Sequence, residues 1–200
     1  MIDTSLQIAG LAIGLIYLWY EYHASPKVWI AGLFMPMISM VVYYRKGLYA
    51  DFGMNIYYLL MAVYGYLAWT GMLRRGKGSD GEKGELEIRH LRPRAYLPVV
   101  AVTGVIWVCI ALFLIGATDS TVPWADAFTT AMSITGTWLL ARKYIDQWFA
   151  WVLVDAVCVG LYLYKGIYPY ALLYAVYTVV AVFGYYKWKR LMAGTERPAA

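Results

Sequence analysis

Seven apolar stretches, each close to the ~20 residues a helix needs to cross a bilayer, constrain this chain more than any other feature. They run at about Ser5 to Tyr22, Val28 to Tyr44, Phe52 to Gly71, Tyr96 to Gly116, Trp124 to Ala141, Trp148 to Tyr164 and Tyr170 to Trp188, each bounded by charged or turn-forming residues. An unpaired backbone group is costly in hydrocarbon, so such stretches are expected to be helices. Composition points the same way. The chain is 62% hydrophobic and 14% charged, whereas soluble domains are about 45–50% apolar and about 25% charged. Within 200 residues, seven crossings leave little chain for a water-soluble domain. The expected class is an all-α integral membrane protein with seven transmembrane helices.

The net charge of +5 reads as a topology signal rather than a nucleic-acid signal. With the amino terminus outside, only Arg45, Lys46 and Lys165 of the 17 Lys and Arg fall on the outer side. That bias places the amino terminus in the periplasm and the carboxyl terminus in the cytoplasm of a bacterial inner membrane. The first apolar run has no basic region before it and no small-residue cleavage site, so a retained helix is expected there. The one long loop, Met72 to Ala95, is rich in Gly and in charges of both signs, as expected of a cytoplasmic linker. Cys109 and Cys158 lie inside apolar runs without metal-ligand spacing, so neither a disulfide framework nor a metal site is expected.

The chain also repeats itself. At a constant offset of 119 residues, Trp29 to Trp69 aligns with Trp148 to Trp188 without a gap. Trp29 meets Trp148, Ala31 meets Ala150, Tyr43 meets Tyr162, and Lys46-Gly47-x-Tyr49 meets Lys165-Gly166-x-Tyr168. Ala62-Val63-x-Gly65-Tyr66 meets Ala181-Val182-x-Gly184-Tyr185, and Trp69 meets Trp188. The expected organisation is a first three-helix repeat at 1–71, a linker and connecting fourth helix at 72–123, a second three-helix repeat at 124–191 and a cytoplasmic tail at 192–200. One odd helix between two triads makes them parallel repeats, a 3+1+3 arrangement like that of the SWEET sugar exporters, in which substrate binds near the bilayer midplane between the halves. A duplicated scaffold without a pathway is the alternative.

Aromatic residues at helix ends, such as Trp69, Trp124 and Trp188, fit interfacial belts. Others lie deeper. Trp148, Trp151 and Asp155 fall at i, i+3 and i+7 of the sixth helix, one narrow stripe at ~100° per residue. The seventh helix has Tyr170, Tyr174 and Tyr177, and the third has Asn55 and Tyr58. Asp155 is the only ionisable residue near the middle of any apolar stretch. A charge there costs several kcal/mol, so it is a functional candidate that should face the interior. One reading is a structural Asp, protonated or paired with tyrosine. The other is an anion that meets a substrate cation while Trp and Tyr faces hold a planar ring, each such contact being worth about 0.5–2 kcal/mol.

Three stretches carry a family resemblance: Gly47-Leu48-Tyr49-Ala50-Asp51, the Tyr64-Gly65-x-x-x-Trp69 close of the third helix, and Arg142-Lys143-Tyr144 followed by Trp148-x-x-Trp151-x-x-x-Asp155. Over nearly its whole length the chain resembles the PnuC family of bacterial vitamin transporters. The resemblance implies facilitated uptake of a phosphate-free vitamin, trapped inside by phosphorylation, without coupling ion or ATP. Within the family the thiamine branch, PnuT, is the more similar, on the run Tyr17-Leu18-Trp19-Tyr20-Glu21-Tyr22 and on Tyr49 to Gly53 followed by Asn55 to Tyr58. The nicotinamide riboside branch typically has Asn where this chain has Asp155, and often Asn at the position of Pro36. Thiamine is therefore the expected cargo, and nicotinamide riboside the alternative.

The expected binding site comprises Trp148, Trp151, Asp155, Asn55, Tyr58, Tyr174 and Tyr177, with Glu21 and Tyr17 at one mouth. No cofactor, metal or nucleic-acid partner is expected; the bilayer and a small-molecule vitamin are, and a homo-oligomer is compatible with the sequence. There is no Walker-type Gly-x-x-x-x-Gly-Lys and no second deep carboxylate for a proton relay. A retinal receptor needs a mid-helix Lys, yet the seventh helix has only Lys187, at its inner end. His23 and His90 lie outside the apolar stretches, and no nucleophile sits beside a base, so an enzyme is not expected.

Overall fold

The computed structural model describes residues 4–45, 49–74 and 86–195. Lys46-Gly47 of the repeat and residues 75–85 of the charged linker lie outside the described residues. The described residues form seven α-helices: α1 (Thr4–Tyr22), α2 (Lys27–Arg45), α3 (Tyr49–Trp69), α4 (Pro93–Ala117), α5 (Pro123–Ala141), α6 (Gln147–Tyr164) and α7 (Tyr168–Thr195). A single 3-10 turn, Met72–Arg74, follows α3. Each helix covers its apolar stretch to within a few residues. The largest difference is at α7, which runs on past Trp188 because Lys189, Arg190, Leu191 and Met192, beyond the apolar stretch, are good helix formers. Proline marks helix starts where its missing N–H costs nothing: Pro93 in α4, Pro123 in α5 and Pro169 in the first turn of α7. Pro36, in contrast, lies inside α2 and removes one backbone bond.

The chain divides into two compact units, Met1–Glu87 with Ala141–Lys143, and Ile88–Leu140 with Tyr144–Ala200. In the first unit α2 packs against both α1 and α3. The closest approach is at Gly65, where an added Cβ would lie 2.3 Å from Trp29 Cε2. Only a residue without a side chain admits that indole. Trp69 completes the cluster, its ring 5.7 Å from Trp29 and nearly perpendicular at 87°. Its Nε1 donates to the Ala141 carbonyl at 3.2 Å, and the Lys143 ammonium lies 4.7 Å from its ring centroid.

In the second unit α6 packs along α7, and the same device recurs at the positions 119 residues later. A Cβ on Gly184 would lie 2.5 Å from Trp148 Cη2, and Trp188 stands edge-on to Trp148 at 5.8 Å and 89°. Helix ends match as well. Ala24 and Lys143 are the two non-glycine residues with positive φ among the described residues, at 51° and 58°. Each is followed by a bond that closes the helix in a Schellman turn, Ser25 N–H to the Tyr20 carbonyl at 3.0 Å and Tyr144 N–H to the Leu139 carbonyl at 2.9 Å.

Part of the loop expected to be a plain linker is instead strapped down within the second unit. Arg89 pairs with Tyr144 in an isolated bridge, the Ile145 N–H donating to the Arg89 carbonyl at 3.0 Å. The Leu91 N–H and the Tyr96 hydroxyl both donate to the buried Asp146 carboxylate, the former at 2.6 Å. Such a pairing joins residues far apart in sequence, so no local periodicity announces it.

Candidate substrate-binding site

The second unit presents one continuous stripe along α6. Trp151, Asp155, Cys158 and Tyr162 follow at i, i+4, i+7 and i+11, so they share a face. At its start the Trp151 ring packs against Gly136 of α5, where a Cβ would be 3.4 Å from Cε2. Asp155 is buried, at 7% exposure, and its carboxylate has no hydrogen bond or ion pair among the described residues. At the far end Tyr162 stacks on Tyr174 of α7, centroids 5.3 Å apart and planes 16° apart, and on Tyr170 at 5.3 Å and 28°. Tyr177 meets Tyr174 edge-on at 5.8 Å. Expected residues Trp151, Asp155, Tyr174 and Tyr177 therefore sit on packed helices α6 and α7 within one unit, a carboxylate flanked by aromatic faces.

Trp148 has different surroundings. It is 1% exposed, clamped between Gly184 and Trp188 as Trp29 is clamped between Gly65 and Trp69. Its indole Nε1 and that of Trp151 have no hydrogen-bond partner among the described residues. One residue escaped the sequence reading. Gln147 is fully buried, and neither its amide oxygen nor its amide nitrogen has a partner among the described residues. It lies one turn before Trp151 and so extends the same stripe. A buried amide without a partner costs about 1–3 kcal/mol per group. A polar residue opening an apolar run reads in sequence as a helix boundary, which conceals it.

In the first unit, Tyr17 and Glu21 sit one turn apart on α1, and Asn55 and Tyr58 on α3. Glu21 is buried, at 3% exposure; Asn55 and Tyr58 are half-buried. Tyr17 lies against Gly32 of α2, where a Cβ would be 3.1 Å from its ring. No group of three or more His, Cys, Asp or Glu able to hold a metal occurs among the described residues.

Helices α4, α6 and α7 are long and apolar enough to cross a membrane, and the apolar stretch Lys27–Val41 in α2 is shorter. The surface of α4 is apolar almost all round, with Leu97, Val100, Val105 and Leu112 exposed, as befits contact with lipid rather than water. Such a chain is a helical membrane protein. It belongs to the family described as nicotinamide mononucleotide transporters, whose model matches residues 4–190, and so is a vitamin transporter of the PnuC family. It is 23% identical to the nicotinamide riboside transporter PnuC of Escherichia coli, over 92% of this chain and 84% of that protein. Identity to the PnuC of Neisseria mucosa is 25%, covering 95% and 74% respectively. The riboflavin/roseoflavin transporter RibM of Streptomyces davaonensis is 27% identical, covering 96% and 87%. The fold is similar to the crystal structure of the vitamin B3 transporter PnuC, with a TM-score of 0.70 at 23% identity, over 96% of this chain and 83% of that one. The vitamins named for these relatives are nicotinamide riboside and riboflavin rather than the expected thiamine.

Proposed function

We propose that this chain carries a phosphate-free vitamin with a flat ring into the bacterial cytoplasm by facilitated diffusion, nicotinamide riboside being the first candidate. The observation that carries this reading is the α6 stripe: a buried carboxylate, Asp155, without an ion pair among the described residues, between the Trp151 indole and the stacked Tyr162 and Tyr174. The pyridinium of nicotinamide riboside bears a positive charge that a carboxylate and aromatic faces attract together. Trp151, Asp155, Tyr174 and Tyr177 contact the vitamin, joined by Asn55 and Tyr58 and, at a mouth, by Glu21 and Tyr17. Gln147 supplies amide hydrogen bonds, and Trp148 buttresses α6 from behind. The names of the relatives support nicotinamide riboside over thiamine.

Seven crossings, a SWEET-like 3+1+3 order and a periplasmic amino terminus belong to the same reading. The matched clusters Trp29-Gly65-Trp69 and Trp148-Gly184-Trp188, with the matched turns at Ala24 and Lys143, support the repeat. The site alternates in access between the two sides, net flux follows the vitamin's own gradient, and intracellular phosphorylation traps the product.

Thiamine is the second reading, favoured by Asp155 itself: a carboxylate accepts a hydrogen bond from an aminopyrimidine and offsets a thiazolium charge. Calorimetric titration of the purified protein with nicotinamide riboside, thiamine and riboflavin decides. Tight binding of nicotinamide riboside alone supports the first reading, tight binding of thiamine alone the second, and binding of none of the three contradicts both.

A further inference from the structure

Between α1 and α2 runs an apolar groove of about 380 Å³. Ile13, Ile16 and Tyr20 of α1 form one wall, and Lys27, Ile30 and Phe34 of α2 the other. Each wall runs over eight residues, about 10 Å from first to last at 1.5 Å per residue. The chain reverses between the two helices, so Tyr20 faces Lys27 at one end and Ile13 faces Phe34 at the other. The groove is therefore polar at one end only. Its single cation, Lys27, stands at the first residue of α2, with its ammonium 6.0 Å from the Tyr20 ring centroid. It makes no ion pair among the described residues. Beyond that end the walls are aliphatic or phenyl, and Ile16, Ile30 and Phe34 are 50%, 42% and 55% exposed.

We propose that this groove binds one anionic phospholipid, its phosphate at Lys27 and one acyl chain laid between α1 and α2 toward Ile13 and Phe34. The occupant follows from the shape of the site. A groove apolar throughout would take any acyl chain, whereas an unpaired ammonium at the helix end, where a membrane helix meets the headgroups, selects a net negative headgroup. A zwitterionic lipid brings a second cation to that end and loses the advantage. This proposal rests on the reading of α1 and α2 as membrane-crossing helices.

The test is photolabelling of the full-length protein in nanodiscs that contain trace phosphatidylglycerol or phosphatidylcholine with a diazirine in the acyl chain, mapped by peptide mass spectrometry. Phosphatidylglycerol should label Ile13 to Tyr20 and Ile30 to Phe34 about fivefold more than phosphatidylcholine, the preference expected of one lysine at a membrane surface. Lys27→Ala should bring the two lipids level, Lys27→Arg should keep the preference, and Ala31→Phe, which fills the groove floor, should suppress labelling by both. Equal labelling by the two lipids in the unaltered protein would overturn the proposal alone and leave the helices as membrane spans. Absence of labelling on both helices would overturn the proposal and the membrane placement of α1 and α2 together. Vitamin binding measured by calorimetry on the same preparation keeps these outcomes separate from the transport reading.

Discussion

Trp148 lies against the bare backbone of Gly184, with no room for even a methyl group between α6 and α7. Gly184→Ala should therefore force the helices apart and destabilise the protein by about 1–3 kcal/mol, and Gly65→Ala should do the same through Trp29. Gly160, where a Cβ meets nothing within 4 Å, serves as control: Gly160→Ala should be neutral or stabilising by up to about 1 kcal/mol. Thermal unfolding in detergent reads all three. Equal midpoints for Gly184→Ala and Gly160→Ala would contradict the close contact.

Trp148 and Trp151 are three positions apart on α6 and should respond differently. Trp148→Ala empties a fully buried position and should cost about 3–5 kcal/mol of stability. Trp151→Ala should leave folding closer to intact and instead weaken vitamin binding, by about 0.5–2 kcal/mol if one ring-on-cation contact is lost. Unfolding and calorimetry on both variants check the split, and an unchanged affinity for Trp151→Ala would remove it from the site.

Asp155→Asn keeps the shape of the side chain and removes its charge. Binding of a cationic vitamin should weaken by about 1–3 kcal/mol, roughly fivefold to 150-fold in Kd. Titration of the purified variant measures it. Unaltered affinity would make Asp155 a structural residue.

Asp146 ties the 88–92 segment to the α5–α6 turn by accepting from Leu91 and Tyr96. Asp146→Ala leaves the Leu91 N–H without its acceptor, and loss of a hydrogen bond to a charged group is worth about 1.5–3 kcal/mol. Amide hydrogen exchange across 88–92 should accelerate by about tenfold or more. Unchanged exchange would show that the Arg89 bridge alone holds the segment.

The helices were legible in the sequence because each of the seven coincides with an apolar stretch bounded by charged or turn-forming residues. Their ends were less so: Lys and Arg continue α7 to Thr195 as readily as they end an apolar run. The offset of 119 residues brought out Gly65 and Gly184 with their tryptophans, and the structure gives the reason, since each glycine accommodates an indole face. Asp155 could be singled out because a carboxylate amid apolar residues is conspicuous. Gln147 and the strap at 88–92 could not, since their significance depends on burial and on partners distant in sequence. The choice of vitamin was the least legible part: a single carboxylate suits two different ring cations.

Uptake of radiolabelled nicotinamide riboside into proteoliposomes, with no ion gradient and no ATP, tests the central claim most directly. The account predicts entry well above that of protein-free liposomes, levelling off when the inner concentration equals the outer. Uptake that matches empty liposomes for nicotinamide riboside, thiamine and riboflavin alike, or that proceeds only under a proton or sodium gradient, would contradict it.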